Sequence, residues 1–166
     1  MQKRFFINFF VSLIGYIVIN YIGRLTNNIN IMIFDNTPMP VYILATYWLL
    51  TFVTPIVLYF YFGRKLNILS NPTLNYLSIS SSFIFALVAI HIPFDVQFNN
   101  EMMSFFGSFP YAWMGILLVG TMLFGVEASE FFITIYPSVI MWFGLTCKNR
   151  NLKTKRQSNT VNSGAI

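Results

Sequence analysis

Residues 5–22 read FFINFFVSLIGYIVINYI, an uncharged stretch that follows Lys3 and Arg4 and is closed by Gly23 and Arg24. A helix of about this length crosses the hydrocarbon core of a bilayer, which takes roughly 20 residues. The end of the stretch has no pair of small residues of the kind that precedes a cleavage site, which argues against a cleaved signal peptide. We therefore expect an uncleaved membrane-spanning helix over residues 5–22.

Three further apolar stretches follow along the chain. Residues 41–62 are uncharged, and residues 76–92 end just before Pro93, which disfavours helix at the residue that precedes it. Residues 111–147 are apolar except around residues 127–130, and one straight helix over that stretch would be about 55 Å long, nearly twice the roughly 30 Å hydrocarbon core. We expect this last stretch to hold either one span with a half-helix packed from the extracytoplasmic side, or two minimal spans.

The distribution of lysine and arginine favours the first arrangement. With four crossings and both termini in the cytoplasm, nine of the ten basic residues lie inside and only Arg24 lies outside. With five crossings the split is four against six, or six against four, and neither shows a clear bias. We therefore predict an all-α fold, a polytopic transmembrane helix bundle of four crossings over residues 1–147, with five crossings as the alternative, followed by a basic, disordered tail over residues 148–166.

Composition excludes a water-soluble fold and does not indicate nucleic-acid binding. The chain has 166 residues, of which 56% are hydrophobic and 9% are charged, whereas soluble domains carry roughly a quarter charged residues. The net charge of +5 arises mainly in the tail. Five of the ten basic residues lie there: Lys148, Arg150, Lys153, Lys155 and Arg156. We expect this tail to bind anionic lipids of the inner leaflet, with about 1 kcal/mol from each base near the surface.

Polar and small residues recur at helical spacing and predict which faces point into the bundle. Such faces allow close packing and interhelical hydrogen bonds of roughly 1 kcal/mol in lipid. Three faces are predicted: Asn8, Ser12, Gly15 and Tyr16 on the first helix, Tyr47, Thr51, Thr54 and Tyr61 on the second, and Glu127, Glu130, Thr134 and Ser138 on the last. The last set indicates one continuous helix, because a hairpin turn would favour Gly, Pro or Asn over Glu-Ala-Ser-Glu.

Four ionisable residues are the candidates for chemistry, because charge at membrane depth costs several kcal/mol and is usually functional. They are His91, Asp95, Glu127 and Glu130. With four crossings they approach each other at one membrane face, where imidazole and carboxylates could bind zinc or manganese or transfer protons. No metal-ligand spacing supports this cluster, and Pro93 interrupts the helical pairing of His91 with Asp95. Hydrated positions among lipid headgroups are the simpler interpretation, and five crossings would separate His91 from both glutamates.

The absence of known sequence motifs excludes several classes of function. The chain has no glycine-rich phosphate loop, and its single cysteine, Cys147, excludes an internal disulfide. We expect no cofactor, no nucleic-acid partner and a cell-membrane location. The leading hypothesis is a non-enzymatic accessory, immunity-like or regulatory protein that acts through helix contacts with a membrane-protein partner or a second copy. The alternatives are a small transporter or channel subunit that uses Glu127 or Glu130 as the coupling carboxylate, and an intramembrane enzyme built on His91 with nearby acids.

Overall fold

Five helices make up the described part of the chain. The computed structural model describes residues 2–34, 40–91 and 113–163. The helices are α1 (Gln2–Phe34), α2 (Val41–Lys65), α3 (Pro72–Ile90), α4 (Met114–Phe124) and α5 (Val126–Ser163).

Four of these helices are long and apolar enough to cross a membrane. Their apolar segments are Gln2–Asn28, Val41–Lys65, Thr73–Ile90 and Phe131–Arg150. Helix α4 has only 11 residues, about 16 Å of helix, and is too short for a bilayer core of roughly 30 Å. The predicted all-α bundle with four membrane-spanning helices is therefore confirmed.

Two contacts bring three segments together at one end of the bundle. The Asn8 side-chain amide of α1 donates to the Asn67 carbonyl at 2.7 Å, and the Asn67 backbone N–H donates to Asn8 Oδ1 at 2.9 Å. In α5, Lys148 Nζ donates to the Leu66 carbonyl at 2.6 Å. The start of α1, the α2–α3 loop and the membrane exit of α5 thus share one end, which we call the basic end. Its basic residues are Lys3, Arg4, Arg64, Lys65, Lys148 and Arg150.

Serine and tyrosine side chains join the helices in the interior. Ser12 of α1 hydrogen-bonds Ser81 of α3 through their hydroxyls, and Ser82 of α3 bonds Ser138 of α5 at 2.7 Å. Each such bond contributes roughly 1 kcal/mol where no water competes. The predicted inward face of α1 is confirmed, because Asn8, Ser12, Gly15 and Tyr16 are all buried.

The predicted inward face of α2 is wrong at its last position. Tyr61 is 54% exposed, with Lys65 Nζ lying 4.9 Å from its ring centroid. The buried residues of α2 recur every four positions: Thr51, Pro55, Tyr59 and Gly63. The spacing of four keeps one ridge of α2 against α5, the helix with which it makes its most extensive contact.

Helix α5 continues far beyond the membrane segment. Residues 148–163 are helical, where the sequence predicted a disordered tail. Seven of residues 148–163 are good helix formers (Lys, Arg, Gln or Leu), the others are weaker ones, and no glycine or proline occurs before Gly164. A helix already nucleated in the membrane can therefore propagate through the tail, because elongation is far easier than nucleation.

Candidate functional site: the bundle interior and its two ends

Three of the four predicted ionisable residues, His91, Glu127 and Glu130, lie at the end opposite the basic end. His91 caps α3 there, is exposed, and its Nδ1 lies 2.8 Å from the Leu87 carbonyl oxygen. Glu127 and Glu130 lie in the first turns of α5 and precede its membrane segment Phe131–Arg150. Asp95 lies outside the described residues.

Within residues 2–34, 40–91 and 113–163, no group of three His, Cys, Asp or Glu side chains is placed to hold a metal ion. The metal or proton site therefore stays a prediction. The structure does place the glutamates on one continuous helix with Thr134 and Ser138.

Helices α4 and α5 form a hairpin around Gly125. This glycine has φ +82° and ψ 171°, a region that is essentially restricted to glycine. Across the hairpin, a Cβ on Gly120 would lie 2.9 Å from the Phe132 ring, so the two helices pack closely. This half-helix with one span is the first of the two arrangements that the sequence left open, and the turn lies at Gly125 instead of at residues 127–130.

The positive φ of Gly125 leads to a testable prediction. A Gly125→Ala variant should be destabilised by about 1–3 kcal/mol, because alanine pays the strain of this conformation while no atom lies within 4 Å of the new methyl group. Thermal unfolding in detergent measures the effect. Met122, 74% exposed on the same hairpin, is the control, since Met122→Ala should leave the unfolding temperature unchanged. Equal stability of the Gly125→Ala protein and the wild type would contradict this account of the turn.

The start of α4 reaches the middle of the bundle. The Gly115 backbone N–H donates to Thr51 Oγ1 at 3.1 Å, and a Cβ on Gly115 would lie 2.5 Å from the Trp48 carbonyl oxygen. Thr51 is near the midpoint of α2, so α4 inserts between the spanning helices to about half their depth. Threonine thus satisfies one of the backbone donors that a helix leaves free at its start.

A buried aromatic group occupies the centre. The rings of Tyr16 and Tyr59 stack with centroids 6.5 Å apart, and Tyr59 meets Tyr136 edge-on at 5.7 Å. Asn20 Nδ2 donates to the Tyr59 hydroxyl at 2.8 Å. Among the described residues, the Tyr16 hydroxyl has no hydrogen-bond partner. We call Tyr16, Asn20, Tyr59 and Tyr136 the tyrosine cluster. It joins α1, α2 and α5 by packed rings.

The backbones of α2 and α5 come into contact where the two helices cross. A Cβ on Gly63 would lie 2.0 Å from the Met141 carbonyl oxygen, and one on Gly144 would lie 2.3 Å from the Phe60 carbonyl oxygen. Only glycine fits at such a crossing, as is common where membrane helices pack closely. No role was predicted for Gly63 or Gly144 from the sequence. Gly63 directly follows the apolar run 41–62, and Gly144 lies within the run 111–147.

The lipid-facing surface is unevenly distributed over the helices. In an apolar 18-residue stretch of each spanning helix, the share of buried residues is 11% for α2, 33% for α1, 33% for α3 and 39% for α5. One side of α2 carries exposed residues at helical spacing, and we call it the outer face of α2. It comprises Ala45, Thr46, Leu49, Leu50, Val53 and Val57.

No family model, no curated protein and no solved structure matches the chain.

Proposed function

We propose that the chain is a non-enzymatic accessory, immunity-like or regulatory membrane protein that acts through helix contacts with a larger membrane protein. The observation that carries the proposal is the low burial of α2, whose apolar window is 11% buried while the other three spans are about a third buried or more. The outer face of α2 is therefore available for contact with a partner. Its small residues Ala45 and Thr46 would let another helix approach closely.

The interior supports the same proposal. The Ser12 hydroxyl bonds that of Ser81, and the Ser82 hydroxyl bonds that of Ser138. The tyrosine cluster fills the centre with packed rings. The paired serine hydroxyls hold helices together and are not free to bind a substrate. A bundle whose interior is packed and whose second helix is little buried is suited to binding a partner through that helix.

We further propose that the protein lies in the cell membrane with its basic end in the cytoplasm. Lysine and arginine near the ends of spans are retained on the cytoplasmic side, and six of them share the basic end. The basic residues of the tail would then lie near the anionic inner leaflet. Both termini would be cytoplasmic.

Site-specific photocrosslinking in native membranes tests the helix-contact proposal. A photoreactive side chain at Val53 or Val57 of the outer face of α2 should give a discrete adduct with one membrane protein. The matched controls are Ile84 and Val88 of α3, which are 50% and 60% exposed and should react with lipid only. A Val57→Trp change should abolish the adduct formed at position 53, whereas Val88→Trp should not. Lipid adducts alone at all four positions would contradict the proposal.

A further inference from the structure

A groove runs between α3 and α5 on the surface that faces lipid. It encloses about 400 Å³, within the roughly 300–1,000 Å³ of small-molecule sites. Residues that line it include Tyr76, Ile79, Ser80, Phe83, Ser138 and Trp142. From Tyr76 to Phe83 it extends about 10 Å along α3 into the hydrocarbon region. Its walls are almost entirely apolar.

A smaller, more polar pocket continues this groove toward the basic end. It encloses about 140 Å³, and the polar residues in its wall are Asn75, Thr146 and Asn149. Tyr76 and Trp142 line both cavities, and their rings stack at 5.4 Å with 29° between the planes. Tyrosine and tryptophan favour the depth at which hydrocarbon gives way to headgroups. The stacked pair therefore lies where the apolar groove meets the polar pocket.

The basic end, to which the polar pocket belongs, carries an excess of positive charge. Lys148 and Arg150 are the sequence neighbours of the pocket residue Asn149, and Arg64 and Lys65 end α2 at the same end of the bundle. None of the five acidic residues of the chain occurs in the segments that form the basic end, residues 2–8, 64–75 and 145–163. Such an excess of positive charge at the membrane surface attracts anionic headgroups.

We propose that this groove holds one anionic phospholipid, with an acyl chain between α3 and α5 and its phosphate at the polar pocket, within the positive charge of the basic end. The shape of the groove, its depth in the membrane and the positive charge at its polar end all fit such a lipid. The site is distinct from the outer face of α2, so the failure of one proposal would not contradict the other.

Native mass spectrometry of the intact chain tests the proposal, with phosphatidylglycerol and phosphatidylcholine of identical acyl chains as probes. The wild type should retain one phosphatidylglycerol about tenfold better than phosphatidylcholine, since the basic end attracts an anionic headgroup. Arg150→Gln should reduce this preference. Equal retention of the two lipids by the wild type would overturn the proposal.

A second pair of variants separates the groove from lipid bound around the whole bundle. Ser80→Trp should fill the groove and abolish the retained lipid, and it breaks no bond between helices because the Ser80 hydroxyl donates to the Leu77 carbonyl of its own helix at 2.7 Å. Leu77→Trp is the control, at a position on α3 that is 49% exposed and outside the groove. Unchanged retention in a folded Ser80→Trp protein would overturn the proposal. If that variant does not fold, the wild-type preference and Arg150→Gln decide.

Discussion

Replacing Tyr59 with alanine is expected to lower the free energy of unfolding by about 3–5 kcal/mol, the cost of removing a fully buried aromatic side chain. Tyr59 has no exposed surface and packs against Tyr16 and Tyr136 on two other helices. Its loss leaves a cavity where α1, α2 and α5 meet, and it removes the hydroxyl that accepts a hydrogen bond from Asn20. The surrounding rings are held by separate helices and cannot collapse fully into the space.

Tyr61 provides the matched control for this variant, two residues further along the same helix. It is 54% exposed, and its ring lies beneath the Lys65 ammonium group. Tyr61→Ala should therefore cost no more than about 1 kcal/mol, the value of an exposed cation–π contact. Reversible unfolding in mixed detergent micelles, followed by the reactivity of Cys147, measures both variants. Similar destabilisation by the two substitutions would contradict the central position of the tyrosine cluster.

Gly63→Leu is expected to prevent the close approach of α2 and α5, with a loss of about 3 kcal/mol, the upper end of the cost of overpacking. The added Cβ alone would lie 2.0 Å from the Met141 carbonyl oxygen and 2.7 Å from the Met141 carbonyl carbon. These atoms belong to the backbone, so a change of side-chain rotamer cannot relieve the clash. The two helices must separate along the most extensive contact in the bundle.

Gly15→Ala controls for the introduction of a methyl group at a buried glycine. Its Cβ would meet the ring of Phe62 at 2.7 Å, and a ring can shift where a backbone cannot. We expect a loss of about 1 kcal/mol for this variant, the lower end of the cost of overpacking. Size-exclusion chromatography of detergent extracts after stepwise heating compares Gly15→Ala, Gly63→Leu and the wild type. A Gly63→Leu protein as heat-stable as the wild type would show that α2 and α5 do not cross at this glycine.

The number of spans was predictable from the distribution of lysine and arginine, and their helical state was predictable because lipid leaves the backbone few choices. A segment in hydrocarbon must satisfy its own hydrogen bonds, so a long apolar run such as residues 41–62 forms a helix. The inward face of α1 was also predictable. Asn8 and Ser12 stand out among apolar neighbours, and polar groups in lipid seek partners within the bundle.

The rotation of α2 was not predictable from one helix alone. Tyr59 and Tyr61 are both tyrosines, and either could point inward when α2 is considered by itself. The choice depends on where α2 crosses α5, which is set by backbone contact at Gly63 and Gly144. Such a contact between residues far apart in sequence leaves no periodic pattern.

The candidate site was only partly accessible to sequence reasoning. The cost of placing a charge in hydrocarbon singled out Glu127 and Glu130 in the sequence. Both residues precede the membrane segment of α5, and headgroups and water would reduce that cost outside the segment. The roles of the glutamates and of His91 in transport or catalysis stay predictions. The groove between α3 and α5 was not foreseen, because a cavity arises from how two helices meet.

Cysteine accessibility across the membrane tests the central claim most directly. In a Cys147→Ser background, single cysteines at Gln2, Tyr42, His91 and Leu152 are labelled in intact cells and in inverted vesicles with a membrane-impermeant maleimide. Four spanning helices with a shared basic end predict that positions 2 and 152 react from one side, the cytoplasmic side, and positions 42 and 91 from the other. Labelling of positions 2 and 152 from opposite sides would contradict the account.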